Sequence, residues 1–251
     1  MFAEEEADLL VDAAEDAVRL EELARRRIAG APLEQVVGWA AFRGLRIVVE
    51  PGVFVPRRRT ELLVEEALPL VPDDGVVVDL CCGTGAVGAA IGSELSGRGL
   101  TIVAADLDPV EVRCARRNLA GHGEVYEGDL FEPLPRELAG RVDVLVVNAP
   151  YVPTDEIALM PPEAREHEPT IALDGGPDGL DLHRRVAVDA ARWLTPGGSV
   201  LIEVSVRQAP TSAALFEAEG FEVRVVHSDD LDGTAVIATR TAPEKHRISA
   251  R

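Results

Sequence analysis

VVVDLCCGTGAVG, residues Val76–Gly88, opens with a short apolar run and closes in a glycine turn that leads into a small-residue helix through Ile91. Val76–Leu80 reads as a buried strand, and Cys81–Gly85 as the turn between that strand and the helix. Strand, glycine turn and helix make the first unit of an open parallel α/β sheet. Gly83-Thr84-Gly85-Ala86-Val87-Gly88 formally matches G-x-G-x-x-G, and Asp106 follows at about the 20-residue interval of a dinucleotide site. A nicotinamide or flavin dehydrogenase is therefore one open reading. Plain close packing of a glycine turn is another. Asp79 favours a third. It stands just before the turn, giving Asp-x-x-x-Gly-x-Gly, and a carboxylate there suits a cationic cofactor and offers little to a pyrophosphate. S-adenosylmethionine, with its sulfonium and amino group, fits that demand.

Downstream, Leu100–Ala105 reads as the next strand, ending on Asp106. Asp106 can accept both hydroxyls of a ribose, because Asp108 is the better N-cap for the helix Pro109–Ala120. Glu124–Tyr126 is a short strand followed by Gly128-Asp129-Leu130-Phe131, where Leu130 can lie against an adenine ring and Phe131 reads as core. Val142–Val147 is a buried strand running into Asn148-Ala149-Pro150-Tyr151. A loop at the carboxyl end of a parallel strand is where open α/β sheets place ligands. This one can hold a planar NH2 group. Asn148 Oδ1 and a backbone carbonyl accept its two N–H bonds, and Tyr151 covers the flat face. A helix Leu182–Leu194, a turn at Pro196-Gly197-Gly198, a strand Ser199–Val204 and a helix Ala209–Ala218 come next. Phe221–His227 and Thr234–Thr239 read as an antiparallel edge. The expected fold is α/β: a mostly parallel seven-stranded sheet with helices on both faces and an antiparallel C-terminal edge.

Upstream, Glu4–Ala29 carries Leu9, Leu10, Ala13, Ala17, Leu20 and Leu23 at helical spacing and predicts one or two amphipathic helices. Val36–Trp39 and Ala41–Val49 read as β-like, with a hairpin bend at Gly44. Pro51-Gly52 is a turn, Val53–Pro56 an extended linker, and Thr60 the cap of a helix through Leu62, Leu63, Glu65 and Leu68. Three parts follow: a helical segment over residues 1–35, a hairpin linker over 36–60 and the main domain over 61–251. The tail Glu244–Arg251 is expected to fray.

The chain of 251 residues has a formal charge of −19 and 47% apolar residues, enough for one large core. Such acidity argues against nonspecific attraction to nucleic-acid phosphates. Adjacent Cys81 and Cys82 suit neither a disulfide framework nor zinc-ligand spacing, which points to a reducing cytoplasm. MFAEEEADLL lacks the basic start and apolar core of a signal peptide. The most apolar window, Gly75–Gly92, is interrupted by Asp79 and crowded with glycine, so no membrane span is expected.

With these motifs in place the chain resembles the class I, Rossmann-like S-adenosylmethionine-dependent methyltransferases. Within them it is similar to the protein N(5)-glutamine methyltransferases that modify peptide-chain release factors. The likeness extends to Gly38–Leu45, Pro51–Arg57, Glu168-Pro169, Ala172-Leu173 and Gly175–Leu180. It implies a cofactor site at Asp79, Cys81, Cys82, Gly83, Thr84, Gly85, Asp106, Asp129, Leu130 and Asn148, and a substrate loop at Asn148, Ala149, Pro150 and Tyr151. No metal is implied, since a sulfonium leaves as a neutral thioether. The chain departs from the family where Ala149 replaces the first proline of an Asn-Pro-Pro-Tyr loop, where Arg58-Arg59 replace Pro-Glu in the linker, and where Cys81-Cys82 occupy positions usually held by glycine and a small polar residue. Its N-terminal helical region is also shorter than the family's. Adenine or cytosine amino-methylation on nucleic acid, and cofactor binding without turnover, stand as alternatives. The net charge and the single lysine, Lys245, weigh against the first. His167 is read as a surface or packing residue, and Arg57–Arg59 as solvated rather than bound to a substrate carboxylate.

Overall fold

The computed structural model describes residues 3–241. The expected fraying at Glu244–Arg251, and Lys245 with it, lies outside them. The helices α1 (Ala3–Asp12), α2 (Ala17–Ile28) and α3 (Leu33–Val37) precede a hairpin of β1 (Trp39–Phe42) and β2 (Leu45–Val48), then α4 (Glu61–Ala67). The α/β units follow in order: β3 (Val76–Leu80), α5 (Ala86–Glu94), β4 (Thr101–Asp106), α6 (Pro109–Asn118), β5 (Gly123–Glu127) and β6 (Val142–Val147). After a long connection carrying α7 (Pro162–His167) come α8 (Asp181–Trp193), β7 (Leu194–Glu203), α9 (Ala209–Ala218), β8 (Phe221–Ser228) and β9 (Gly233–Arg240).

The seven strands β3 to β9 form one sheet in the order β5-β4-β3-β6-β7-β9-β8. Pairings from β5 across to β7 are parallel, and β9 is antiparallel to both β7 and β8. This is the expected architecture. Apart from Asp79 and Asp143, strands β3 and β6 are apolar because helices cover both of their faces. Val76, Val78 and Leu80 turn toward α8 and α9, while Val77 turns toward α4, α5 and α6. Asp79, next on that second side, is buried with them. The chain leaves β3 toward β4 and reaches β6 on the other flank, so the order reverses between β3 and β6. A crevice at such a point is where α/β sheets bind ligands.

Three local expectations are corrected. Val36 and Val37 belong to α3, which ends on Gly38 in the left-handed conformation at φ 86°; the hairpin starts only at Trp39. A β-branched pair says little about a five-residue helix whose apolar side is buried against Leu10 and Leu23. Thr60 does not cap α4: its backbone is already helical and its side chain makes no capping bond. Pro196-Gly197-Gly198 is an irregularity inside β7, which starts at Leu194 opposite Val142 and resumes with Ser199 opposite Val144. The other N-cap reading holds, since Asp108 accepts the Val110 N–H at 2.7 Å.

Candidate active site

A cleft of about 530 Å³ opens at the carboxyl ends of β3, β4 and β6. Its walls include Asp79, Cys81, Cys82, Gly83, Thr84, Asp106, Asp129, Leu130 and all of Asn148–Tyr151. Of the residues marked from sequence, Gly85 alone stands behind the wall. It starts α5 at φ 74°, and a Cβ on it would press on Ala115 and Leu119 of the neighbouring helix region. Its glycine is there for packing. Cys81 also sits at positive φ, 52°, as does Leu130 at 47°. A left-handed position explains why glycine is the common residue at Cys81, and a side chain held there is strained by its surroundings.

The glycine turn is braced from both sides. Asp106 accepts the Gly83 N–H at 2.8 Å and the Asp108 N–H at 3.0 Å, one on each oxygen. Each oxygen keeps a second acceptor site for a ligand. Asp79 accepts the Gly88 N–H at 2.9 Å, so it also anchors the first turn of α5. Asn118 binds the Thr84 carbonyl at 2.9 Å and both backbone groups of Val48, tying the turn to the hairpin. Burial pushes the Asp79 carboxyl up to about 8, with the Gly88 N–H opposing. It also raises Asp106, against its backbone hydrogen bonds. Both cysteine thiols are driven well above their ordinary range by burial and by neighbouring acids, so neither is a thiolate nucleophile. Asp129 pairs with Arg185 at 2.8 Å at the rim. Phe131 is buried and stacks on Trp193 with ring centroids 5.8 Å apart, a core residue as read.

The loop after β6 is held by groups that sequence reading missed. Asn148 Nδ2 donates to the Thr60 hydroxyl at 3.3 Å, which leaves Asn148 Oδ1 as an acceptor with no partner among the described residues. Tyr151 donates its hydroxyl to Glu203 at 2.9 Å, and Gln208 Nε2 donates to the Tyr151 carbonyl at 2.9 Å. Burial and the Glu203 charge push the Tyr151 phenol upward, so it stays neutral. Glu203 is buried and raised by that burial, although Thr60, Arg59 and Tyr151 all stabilise its charge. Gly175 and Gly179 lie against the backbone of Pro150 and Tyr151, so closely that a Cβ on either would overlap it. That contact accounts for two of the glycines in Gly175–Leu180.

Arg57 is not simply solvated. Its Nη2 reaches both oxygens of Glu168 at 2.5 and 2.6 Å, and its guanidinium lies 5.0 Å over the Phe54 ring. Arg59 approaches Glu203 at 3.4 Å, and Arg58 is exposed. His167 packs near Gly30 and offers its backbone carbonyl to Gln35 at 3.3 Å, outside the cleft. The pairs of Arg57 and Arg59 bring acids from 111 residues or more away, and no local pattern announces them.

Residues 44–160 match the methyltransferase small domain family. A release factor glutamine methyltransferase from Geobacter sulfurreducens is 39% identical over 79% of this chain and 69% of that protein. Another, from Mycolicibacterium smegmatis, is 40% identical over 88% of this chain and 79% of its own. The chain belongs to the release factor glutamine methyltransferase family. A crystallised methyltransferase from Pyrococcus furiosus, 15% identical, shares the fold with a TM-score of 0.60 over 88% of this chain and 99% of that one. As a member of this methyltransferase family the chain is an enzyme that uses a methyl donor, and the dehydrogenase reading of Gly83–Gly88 falls away. No helix among the described residues is long and apolar enough to cross a membrane. Against the family's usual loop, Ala149 is buried as part of the main core, so packing restrains the position that lacks the proline. Pro150 still confines Ala149 to extended geometry.

Proposed function

We propose that the protein transfers a methyl group from S-adenosylmethionine to the side-chain amide nitrogen of a glutamine in a peptide-chain release factor. The observation that carries this reading is the orientation of Asn148. With its NH2 end on Thr60, its carbonyl oxygen is the group left to accept an N–H in the cleft.

The donor set fits S-adenosylmethionine. Buried acids surround the glycine turn where a cation belongs, Asp106 keeps acceptor capacity for ribose hydroxyls, and Leu130 and Leu107 give an apolar border. When bound, that cofactor supplies an electrophilic methyl group on a sulfonium. Asp79, Cys81–Thr84, Asp106, Asp129 and Leu130 would hold it. Asn148 Oδ1 and the Ala149 carbonyl accept the two amide protons, which orients the nitrogen lone pair and raises its electron density. Tyr151, fixed through Glu203 and Gln208, flanks the amide plane. Positioning of this kind contributes several kcal/mol, about 7–11 at its upper limit. No strong base is required, because the proton can leave after the new N–C bond has formed.

The test is incubation with S-adenosylmethionine and a release factor, followed by mass spectrometry of its peptides. One added methyl on a glutamine, lost with Asn148→Ala, is the expected result. Unmodified release factor with intact cofactor binding would move the substrate elsewhere, and equal modification by the variant would remove Asn148 from the reaction. A salt-sensitive complex with RNA or DNA would instead favour the nucleic-acid alternative.

A further inference from the structure

Glu111 is an acid that the turn does not need. It is the third residue of α6, a first-turn position that ordinarily faces solvent, yet it is 2% exposed and forms part of the cleft wall. Its Oε1 accepts the Phe54 N–H of the linker at 2.7 Å. Its Oε2 has no hydrogen-bond partner among the described residues. That oxygen lies 3.7 Å from where a Cβ on Gly83 would stand, directly beside the glycine turn. The charges acting on it come from Asp106, Asp108 and Glu168, all acidic. A buried carboxylate oxygen left unbonded among like charges is costly unless a cation with N–H donors meets it.

The other two acids at the turn are already engaged. Both Asp106 oxygens accept backbone N–H bonds, and one Asp79 oxygen holds Gly88. A sulfonium has no hydrogen to donate, so it can lower the potential at Oε2 without satisfying its lone pairs. An ammonium group does both. We propose that Glu111 binds the α-ammonium group of the methyl donor's amino-acid end, as a positioning residue additional to Asp79. The inference rests on the reading of the cleft as an S-adenosylmethionine site and adds to it the residue that selects the amino-acid portion.

Glu111→Gln is the discriminating variant, because it keeps an oxygen for the Phe54 N–H and removes only the charge. Calorimetric titration would use three ligands: S-adenosylmethionine, S-adenosylhomocysteine, which keeps the ammonium and lacks the sulfonium, and 5′-methylthioadenosine, which lacks both. The variant is expected to bind the first two about tenfold or more weakly, as for loss of a charge-assisted hydrogen bond, and the third within about twofold of wild type. The unchanged third ligand also certifies that the variant is folded. Equal weakening of all three would make Glu111 a prop of the linker and overturn the assignment. So would unchanged affinity for all three, or weakening of S-adenosylmethionine alone. If the wild-type protein binds none of them, the cofactor reading itself falls and the role of Glu111 with it.

Discussion

Asn148 and Thr60, 88 residues apart in the chain, meet where the Asn148 amide donates to the Thr60 hydroxyl at 3.3 Å. The contact joins the linker to the loop after β6 and sets which end of the Asn148 amide faces the cleft. Thr60→Val should therefore slow methyl transfer while leaving cofactor affinity unchanged, by about tenfold for one neutral hydrogen bond. Thr60→Ser should restore most of the rate. Asn148→Ala, which deletes the acceptor itself, should cost about 10²–10³-fold, the scale for a preorganised group acting on the transition state. Single-turnover methylation with saturating cofactor reads all three. A Thr60→Val enzyme with a wild-type rate would mean that Asn148 orients itself.

The Arg57–Glu168 pair should be a structural tie between the linker and the segment after α7. The Glu168 carboxylate side chain is fully buried, whereas Arg57 is 30% exposed. Burial lifts the Glu168 carboxyl despite Arg57. Removing the guanidinium leaves a buried charge without its partner, and Arg57→Ala should cost about 3 kcal/mol, the lower end for a broken buried pair because Arg57 is partly solvated. Urea denaturation would measure it, and adding Glu168→Gln should recover part of the loss. A single variant as stable as wild type would show that water serves Glu168 equally well.

Gly179→Ala should damage the Asn148–Tyr151 loop from behind. Gly179 has φ 76°, and a Cβ would run into the Tyr151 carbonyl and Gln208 Nε2, which hold that loop. The backbone strain and the overlap together should exceed about 1 kcal/mol of stability and reduce turnover. By contrast, Gly197→Ala meets no atom within 4 Å, so its cost is backbone strain alone and its effect on turnover should be negligible. Matching losses of turnover in the two variants would argue against the clamp.

In the absence of cofactor, stability should depend on pH through Asp79 and Glu111. Burial lifts both carboxyls to about 8 from ordinary values of 3.8 and 4.5. The folded chain thus keeps protons that the unfolded chain has released. The contribution is fully present below about pH 4 and is lost as the pH rises to about 8. His183 acts oppositely: burial lowers it from 6.5 to about 4, so its contribution is lost as the pH falls through that interval. Glu111→Gln should have a Tm close to wild type at pH 4.5 and above it at pH 8.5. A constant difference across that range would exclude titration of Glu111.

Much of the fold is legible in short stretches of sequence because it rests on local patterns. Apolar runs of strand length, the glycine turn at Cys81–Gly85 and the capping residue Asp108 each act within a few residues of themselves. Alternation of strands and helices then restricts the topology to a mostly parallel sheet with right-handed crossovers, and the folded sheet places β3 between β4 and β6. Their carboxyl ends bring Asp79, Asp106 and Asn148 to one cleft.

What the linear order leaves open are the partners of those residues. Thr60 reads as a helix cap and instead orients Asn148; Arg57 reads as solvated and instead pairs with Glu168. Glu111 belongs to no motif of the sequence, yet it is buried beside the glycine turn. In each case burial and the approach of a distant chain segment determine which of several equally accessible hydrogen bonds a side chain makes. Those terms exist only once the sheet has formed. The loop Asn148–Tyr151 is thus a local motif held in its working geometry by long-range contacts.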